Sequence, residues 1–146
     1  MTPKDVANFP NRKIKRNIYS QIIELFDLKQ EDGGILGMKD DAISSFCFDK
    51  GTCQKNYQIN VNKFASEVEK WDEEGITFVG FIHSHITNDK EPSLTDLIYV
   101  RKFLSANQDI EQIDFPIVYS DNGKVAIQYY IFKQNQFIPI DILLVD

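Results

Sequence analysis

Histidine and cysteine are scarce in this chain, with two of each in 146 residues. That scarcity excludes a secreted disulfide scaffold, which is built on many paired cysteines. Cys47 and Cys53 lie six positions apart. The spacing does not match a zinc knuckle, and both read as reduced, structural thiols. Positive charge is also in deficit: Lys and Arg total 16 against 22 Asp and Glu, for a net charge of −6. A phosphate-binding surface needs clustered basic side chains. The one such cluster, Arg12, Lys13, Lys15 and Arg16, reads as the solvated face of a helix. No nucleic-acid partner is expected. No run approaches the roughly 18 apolar residues of a membrane span. No apolar segment follows the Met1-Thr2-Pro3-Lys4-Asp5 start, so a signal peptide is not expected either. The expectation is a cytoplasmic protein with no membrane partner. Repeats and Pro/Gly/Ser-rich linkers are missing too, which leaves a single domain over residues 1–146.

Apolar residues are plentiful, at 42 %, and include eleven Phe and six Tyr. A chain of this size and composition can bury a core without covalent staples. From about Lys13 to Leu28, Ile14, Ile18, Ile22, Leu25 and Phe26 fall on one helical face. Gly33-Gly34-Ile35-Leu36-Gly37-Met38 reads as a buried strand whose glycines let another backbone approach. Ala42 to Phe48 is its hairpin partner, turned at Lys39-Asp40-Asp41. Val61, Phe64, Ala65, Val68 and Trp71 predict a second helix over Asn60 to Trp71, with Gly75 near its C-terminal cap. Ile76 to Ile82 is almost wholly apolar and predicts a central strand buried on both faces. Ser93 to Ala106 returns to helical spacing. Phe115 to Tyr119, Val125 to Phe132 and Phe137 to Val145 read as closing strands, the first two joined by an Asn122-Gly123 hairpin turn. The order α-β-β-α-β-α-β-β-β predicts an α/β or α+β mixture around one mixed sheet flanked by helices.

The two histidines, His83 and His85, flank Ser84 at the end of the central strand. Residues i and i+2 of a strand share a face, so two imidazoles can converge on one ion. A catalytic zinc takes three protein ligands and keeps a fourth position open. Asp96, eleven residues after His85 and early in the next helix, is the candidate third ligand. Glu31, just before the Gly-Gly-Ile-Leu strand, is the candidate general base, with Glu24, Asp27 and Asp32 as rivals. Ser93 could donate its hydroxyl to an oxyanion. Ser84 points to the other strand face and reads as structural. Asp89, Lys90 and Glu91 read as a solvated loop beside the site. Ser93-Leu94-Thr95-Asp96 also resembles a helix capping box. Capping and ligation sit together easily for Ser93 and less easily for Asp96.

His83-Ser84-His85, ten intervening residues, then Asp96 with Ser93 three before it, resembles the JAMM motif of the JAB/MPN metallopeptidases. Glu31-Asp32-Gly33-Gly34-Ile35-Leu36-Gly37 is similar to that family's glutamate and following strand. Ile86 departs from the proline common after the second histidine. The resemblance implies an MPN-like fold, Zn²⁺ on His83, His85 and Asp96, Glu31 as acid/base and Ser93 as oxyanion donor. It also implies a substrate: the bond after the C-terminal tail of a ubiquitin-like or similarly conjugated protein. E1/E2-like enzymes, as in bacterial antiviral systems, are the implied partners. Sulfur-carrier processing and a non-catalytic MPN scaffold are the alternatives. A nucleoside deaminase would need His-x-Glu and paired cysteines, and neither is present.

Overall fold

The computed structural model describes residues 11–51, 57, 59 and 61–146. Among the described residues one nine-stranded mixed sheet forms the framework, with helices on both faces. In chain order the elements are β1 (Arg12–Lys15), α1 (Arg16–Leu25), β2 (Gly33–Lys39), β3 (Ala42–Asp49), a 3₁₀ turn (Val61–Phe64), α2 (Ala65–Glu73), β4 (Thr77–Ser84), α3 (Leu94–Ala106), β5 (Gln112–Asp114), β6 (Ile117–Asp121), β7 (Lys124–Lys133), β8 (Gln136–Ile140) and β9 (Ile142–Val145). The strands run β5-β7-β6-β4-β2-β3-β1-β9, and β8 pairs with β7.

β4 is central as expected: it pairs antiparallel with β2 and parallel with β5 and β6. Its alternation divides the core. Ile82 joins Ile18, Ile22 and Phe26 of the α1 side, together with Leu36 and Ile43. Phe81 joins Trp71, Phe64 and Val100 of the α2 and α3 side. Period two therefore sends His83 to the α3 face and Ser84 to the α1 face. Of the β2 glycines Gly34 works as read, since a Cβ there would lie 2.3 Å from the Cys47 carbonyl oxygen of β3, whereas Gly33 and Gly37 make room for the side chains of Tyr57 and of Ile76 and Trp71. Both hairpin turns also form where expected. Asp40 and Asp41 have φ of 54° and 67°, and Asn122 and Gly123 have 51° and 84°, the twist that two-residue hairpins require.

Several expectations need correction. The Lys13–Leu28 helix is shorter at both ends, and its first residues form β1. Arg12 to Lys15 pair in parallel with Ile142 to Val145 of β9, and Ile14 also pairs with Ile43 of β3. Ile14 suits either period, and the distant partner decides. The single strand expected over Phe137–Val145 is two strands divided at Asp141: β8 pairs with β7 and β9 crosses to β1. Finally, Phe115 is not in a strand. β5 precedes it and β6 begins at Ile117, beyond Pro116, which has no N–H for a ladder. The second helix begins with the 3₁₀ turn, and the expected start at Asn60 lies outside the described residues.

Arg12 is not a solvated helix residue. Its Nη2 donates to Asp114 Oδ1 at 2.8 Å, and Nε lies 2.8 Å from Oδ2 without hydrogen-bond alignment. Asp114 is 2 % exposed and also accepts from the buried Tyr129 hydroxyl. Cys47 is a free, half-buried thiol whose pKa is pushed up by burial first, then by Glu67 and Asp49, consistent with an unreactive structural role. Cys53 lies outside the described residues.

Candidate metal centre

His83 is the penultimate residue of β4, and His85 follows one residue past its end. The His85 N–H still donates to Val118 of β6 at 2.8 Å, so the strand geometry carries through both imidazoles. His83 Nε2 and His85 Nε2 lie 3.2 Å apart. Asp96 completes the triangle: Oδ1 is 3.0 Å from His83 Nε2 and Oδ2 is 3.4 Å from His85 Nε2. A tetrahedral zinc with bonds near 2.0–2.2 Å spaces its ligand atoms about 3.3 Å apart. The two imidazole nitrogens stand near that spacing and each has one carboxylate oxygen of Asp96 within 3.4 Å, so the three side chains could hold a metal ion.

Each donor is aimed by a neighbour. His85 Nδ1 lies 2.9 Å from the Asp89 carbonyl, which takes its proton and leaves Nε2 to face Asp96. Asp96 is set by the capping box: Ser93 N–H donates to Asp96 Oδ2 at 2.8 Å, and Asp96 N–H donates to Ser93 Oγ at 3.1 Å. Capping and facing the histidines therefore coexist in one carboxylate, contrary to the expected conflict. The first turn of α3 also favours an anion at that point.

Electrostatics agree with the geometry. Burial alone would raise the Asp96 pKa. Hydrogen bonds from His83 and His85, the His83 charge and the Ser93 N–H outweigh it and hold the carboxyl well below the usual range. Burial pulls His85 down, but the Asp96 hydrogen bond, the Asp89 carbonyl and the charges of Asp96 and Asp89 leave it raised.

A cleft of about 270 Å³ opens over the triad, lined by Glu31, Tyr57, Ser93, Thr95 and the loop after His85. Of the four acidic residues weighed near β2, Glu31 alone lines it. Asp32 is buried and accepts from Gly51 N–H at 2.7 Å and from Gln30 Nε2 at 3.0 Å. Asp27 accepts from Lys29 N–H, and Glu24 is on the exposed side of α1. Glu31 is fixed by what flanks it. Ser84 N–H donates to the Asp32 carbonyl and Asp32 N–H donates to Ser84 Oγ, both at 2.9 Å. The residue between the histidines thus ties the Glu31 segment to the histidine strand. Ser84→Ala leaves the buried Asp32 N–H unpaired and is expected to cost about 1–3 kcal/mol in urea unfolding; an unchanged midpoint would show that this link carries no energy.

Sequence reasoning missed three participants. Tyr57 N–H donates to Glu31 Oε2 at 3.1 Å, and its ring lies where a Cβ on Gly33 would fall. Tyr130 of β7 donates to the Lys90 carbonyl at 2.9 Å and tethers the loop expected to be merely solvated. Asp89 acts through its carbonyl, which no side-chain pattern reveals.

No protein-family model matches the chain, and no curated protein does. Solved structures do resemble it. A Desulfitobacterium hafniense protein determined in solution is 13 % identical, with 92 % of each chain covered and a TM-score of 0.70. A JAB1/MPN domain protein from Archaeoglobus fulgidus is 16 % identical, covering 92 % of this chain and 99 % of that one, with a TM-score of 0.53. At such identities the likeness establishes the fold, a mixed sheet flanked by helices and similar to an MPN domain.

Proposed function

We propose that this chain is a zinc-dependent peptidase or isopeptidase that cuts after the C-terminal tail of a ubiquitin-like or similarly conjugated protein. One observation carries the reading: two imidazoles and a carboxylate that could hold one metal ion share a cleft with a second carboxylate and a hydroxyl. The His-x-His…Asp spacing and the MPN-like fold support it.

His83, His85 and Asp96 would hold the ion, which when bound would supply Lewis acidity toward water and the scissile carbonyl. Glu31 would accept the proton of the attacking water and pass it to the leaving amine. Ser93 Oγ already accepts from Asp96 N–H, so its own proton remains to donate to the developing oxyanion. The Tyr57 N–H would hold Glu31 in place between the two proton transfers. No covalent intermediate is needed. Deconjugation in the cytoplasm, beside E1/E2-like enzymes in a bacterial antiviral system, is the setting we favour over sulfur-carrier processing. Among the described residues, no helix is long and apolar enough to cross a membrane.

The test is metal content of the purified protein, joined to cleavage of ubiquitin-like tail fusions with and without a chelator. About one zinc per chain and chelator-sensitive cleavage after the tail are expected. A protein that takes up no zinc under metal-replete conditions would point instead to a binding scaffold. Asp96→Ala is expected to lose bound zinc and the Asp96 half of the capping box, its acceptor for Ser93 N–H, while Ser93 Oγ still caps the N–H of residue 96. Full zinc occupancy in that variant would remove Asp96 from the ligand set.

A further inference from the structure

Register across three strands places Asp49 of β3, Gly33 of β2 and His83 of β4 side by side. Residues directly opposite one another in antiparallel strands share a face. Asp49 therefore stands on the metal-centre side of the sheet, separated from His83 by the room left at Gly33. The Tyr57 ring takes that room: a Cβ on Gly33 would collide with its Cε1, Cζ and Oη atoms. The Tyr57 phenol donates to Asp49 Oδ2 at 2.6 Å, and Lys63 Nζ pairs with Asp49 Oδ1. Asp49 is 7 % exposed, and a carboxylate so buried needs partners of this kind. Burial first, then the bond to Asp49, push the phenol pKa well above its usual range, so the group stays a donor. The backbone of the same residue faces the cleft, where Tyr57 N–H donates to Glu31 Oε2 at 3.1 Å. Asp49 itself does not line the cleft.

We propose that Asp49 is a positioning residue for Glu31: by anchoring the Tyr57 side chain it keeps Tyr57 N–H on the Glu31 carboxylate and the carboxylate turned to the cleft. A lone N–H···O bond in an open cleft holds its acceptor loosely, because water competes for both partners. Here the donor residue is fixed at its far end, by a bond to an ionised carboxylate and by a ring seated on Gly33. The Glu31 backbone is already held through Asp32 and Ser84, so the side chain is what remains to be oriented. A group that moves a proton twice gains from being held in one geometry, since misplacement by an ångström can cost about 10²-fold in rate. The inference rests on the peptidase reading for those proton transfers, whereas the chain of contacts from Asp49 to Glu31 stands without it.

The test joins amide hydrogen exchange at residue 57, in the full chain with and without zinc, to cleavage of the tail fusions by zinc-loaded protein. Tyr57→Phe keeps the ring and removes the hydroxyl. It should speed exchange at residue 57 by about 5- to 10-fold while the amides of β4 exchange as before. Asp49→Ala should do at least as much, and Asp49→Asn, whose amide oxygen still accepts from the phenol, should keep most of the protection. Gly33→Ala alters no polar group but displaces the ring, and should speed the same amide. Glu31→Ala should speed it too, which ties the protection to that carboxylate. In cleavage, Tyr57→Phe should lower kcat by about 5- to 10-fold with KM unchanged. It should slow Glu31→Gln no further, whereas a loss that reaches the reaction by another route would multiply with it. Exchange at residue 57 that ignores both Tyr57→Phe and Asp49→Ala, or losses that multiply with Glu31→Gln, would overturn the positioning role even if the fusions are cut. Exchange that responds as expected, with no fusion cut by zinc-loaded protein, would sink the peptidase reading and, with it, the role of Asp49 in orienting an acid/base.

Discussion

Glu31→Gln should lower cleavage of a tail fusion by about 10²–10⁴-fold, the usual contribution of a positioned acid/base, while bound zinc and the unfolding midpoint stay unchanged. Gln has the same shape, and its carbonyl oxygen can still accept from Tyr57 N–H. What it loses is the ability to take up a proton. Zinc should remain because Glu31 is not among the three converging ligand atoms. Glu24→Gln, on the exposed side of α1, is the matched control and should cut normally. A Glu31→Gln protein that cuts at the ordinary rate would mean that another group moves the proton. One that loses its zinc would mean that the carboxylate belongs to the metal site itself.

Arg12→Ala should destabilise the fold by about 3–5 kcal/mol, measured by urea unfolding near neutral pH. The loss comes less from the attraction removed than from the charge left behind. Asp114 is 2 % exposed, and in the variant its remaining partner is the Tyr129 hydroxyl. Even in the intact pair, burial pushes the Asp114 carboxyl upward more than Arg12 and Tyr129 pull it down. The sign of the pH dependence follows. A carboxyl whose folded pKa lies above its unfolded value penalises folding above the folded pKa, and the penalty is relieved as pH falls through it. Without Arg12 the Asp114 pKa should rise further. The deficit of the variant should then shrink on acidification toward the ordinary aspartate range. A deficit that stays constant with pH would show that Asp114 is not the source of the loss.

The two sites differ in how they are written into the chain. The metal centre is largely local. His83 and His85 share a face because β-strands have period two, and Ser93 and Asp96 meet because a helix start brings N-cap and third residue together. Those periods act over two to four residues, so their outcome can be read directly from residue types and spacing. The buried strand β4, the glycine approach at Gly34 and the turns at Asp40-Asp41 and Asn122-Gly123 are legible for the same reason.

What the amino-acid sequence determined by itself is therefore the set of elements with strong periodicity and the candidate ligands placed on them. Only the tertiary structure decided which element pairs with which. β1 reads as helix until β9 supplies its partner, and Arg12 reads as solvated until Asp114, 102 positions away, receives it. Glu31 is singled out from its acidic neighbours by Ser84 and by the Tyr57 N–H, which arrive from other parts of the chain. A second cavity, beside the cleft of the metal centre, exists only where β4, α3 and the chain around Phe115 come together. The physical reason is the same in each case. A local period records which way a side chain faces, but a backbone N–H, a carbonyl or an empty volume leaves no mark in residue type.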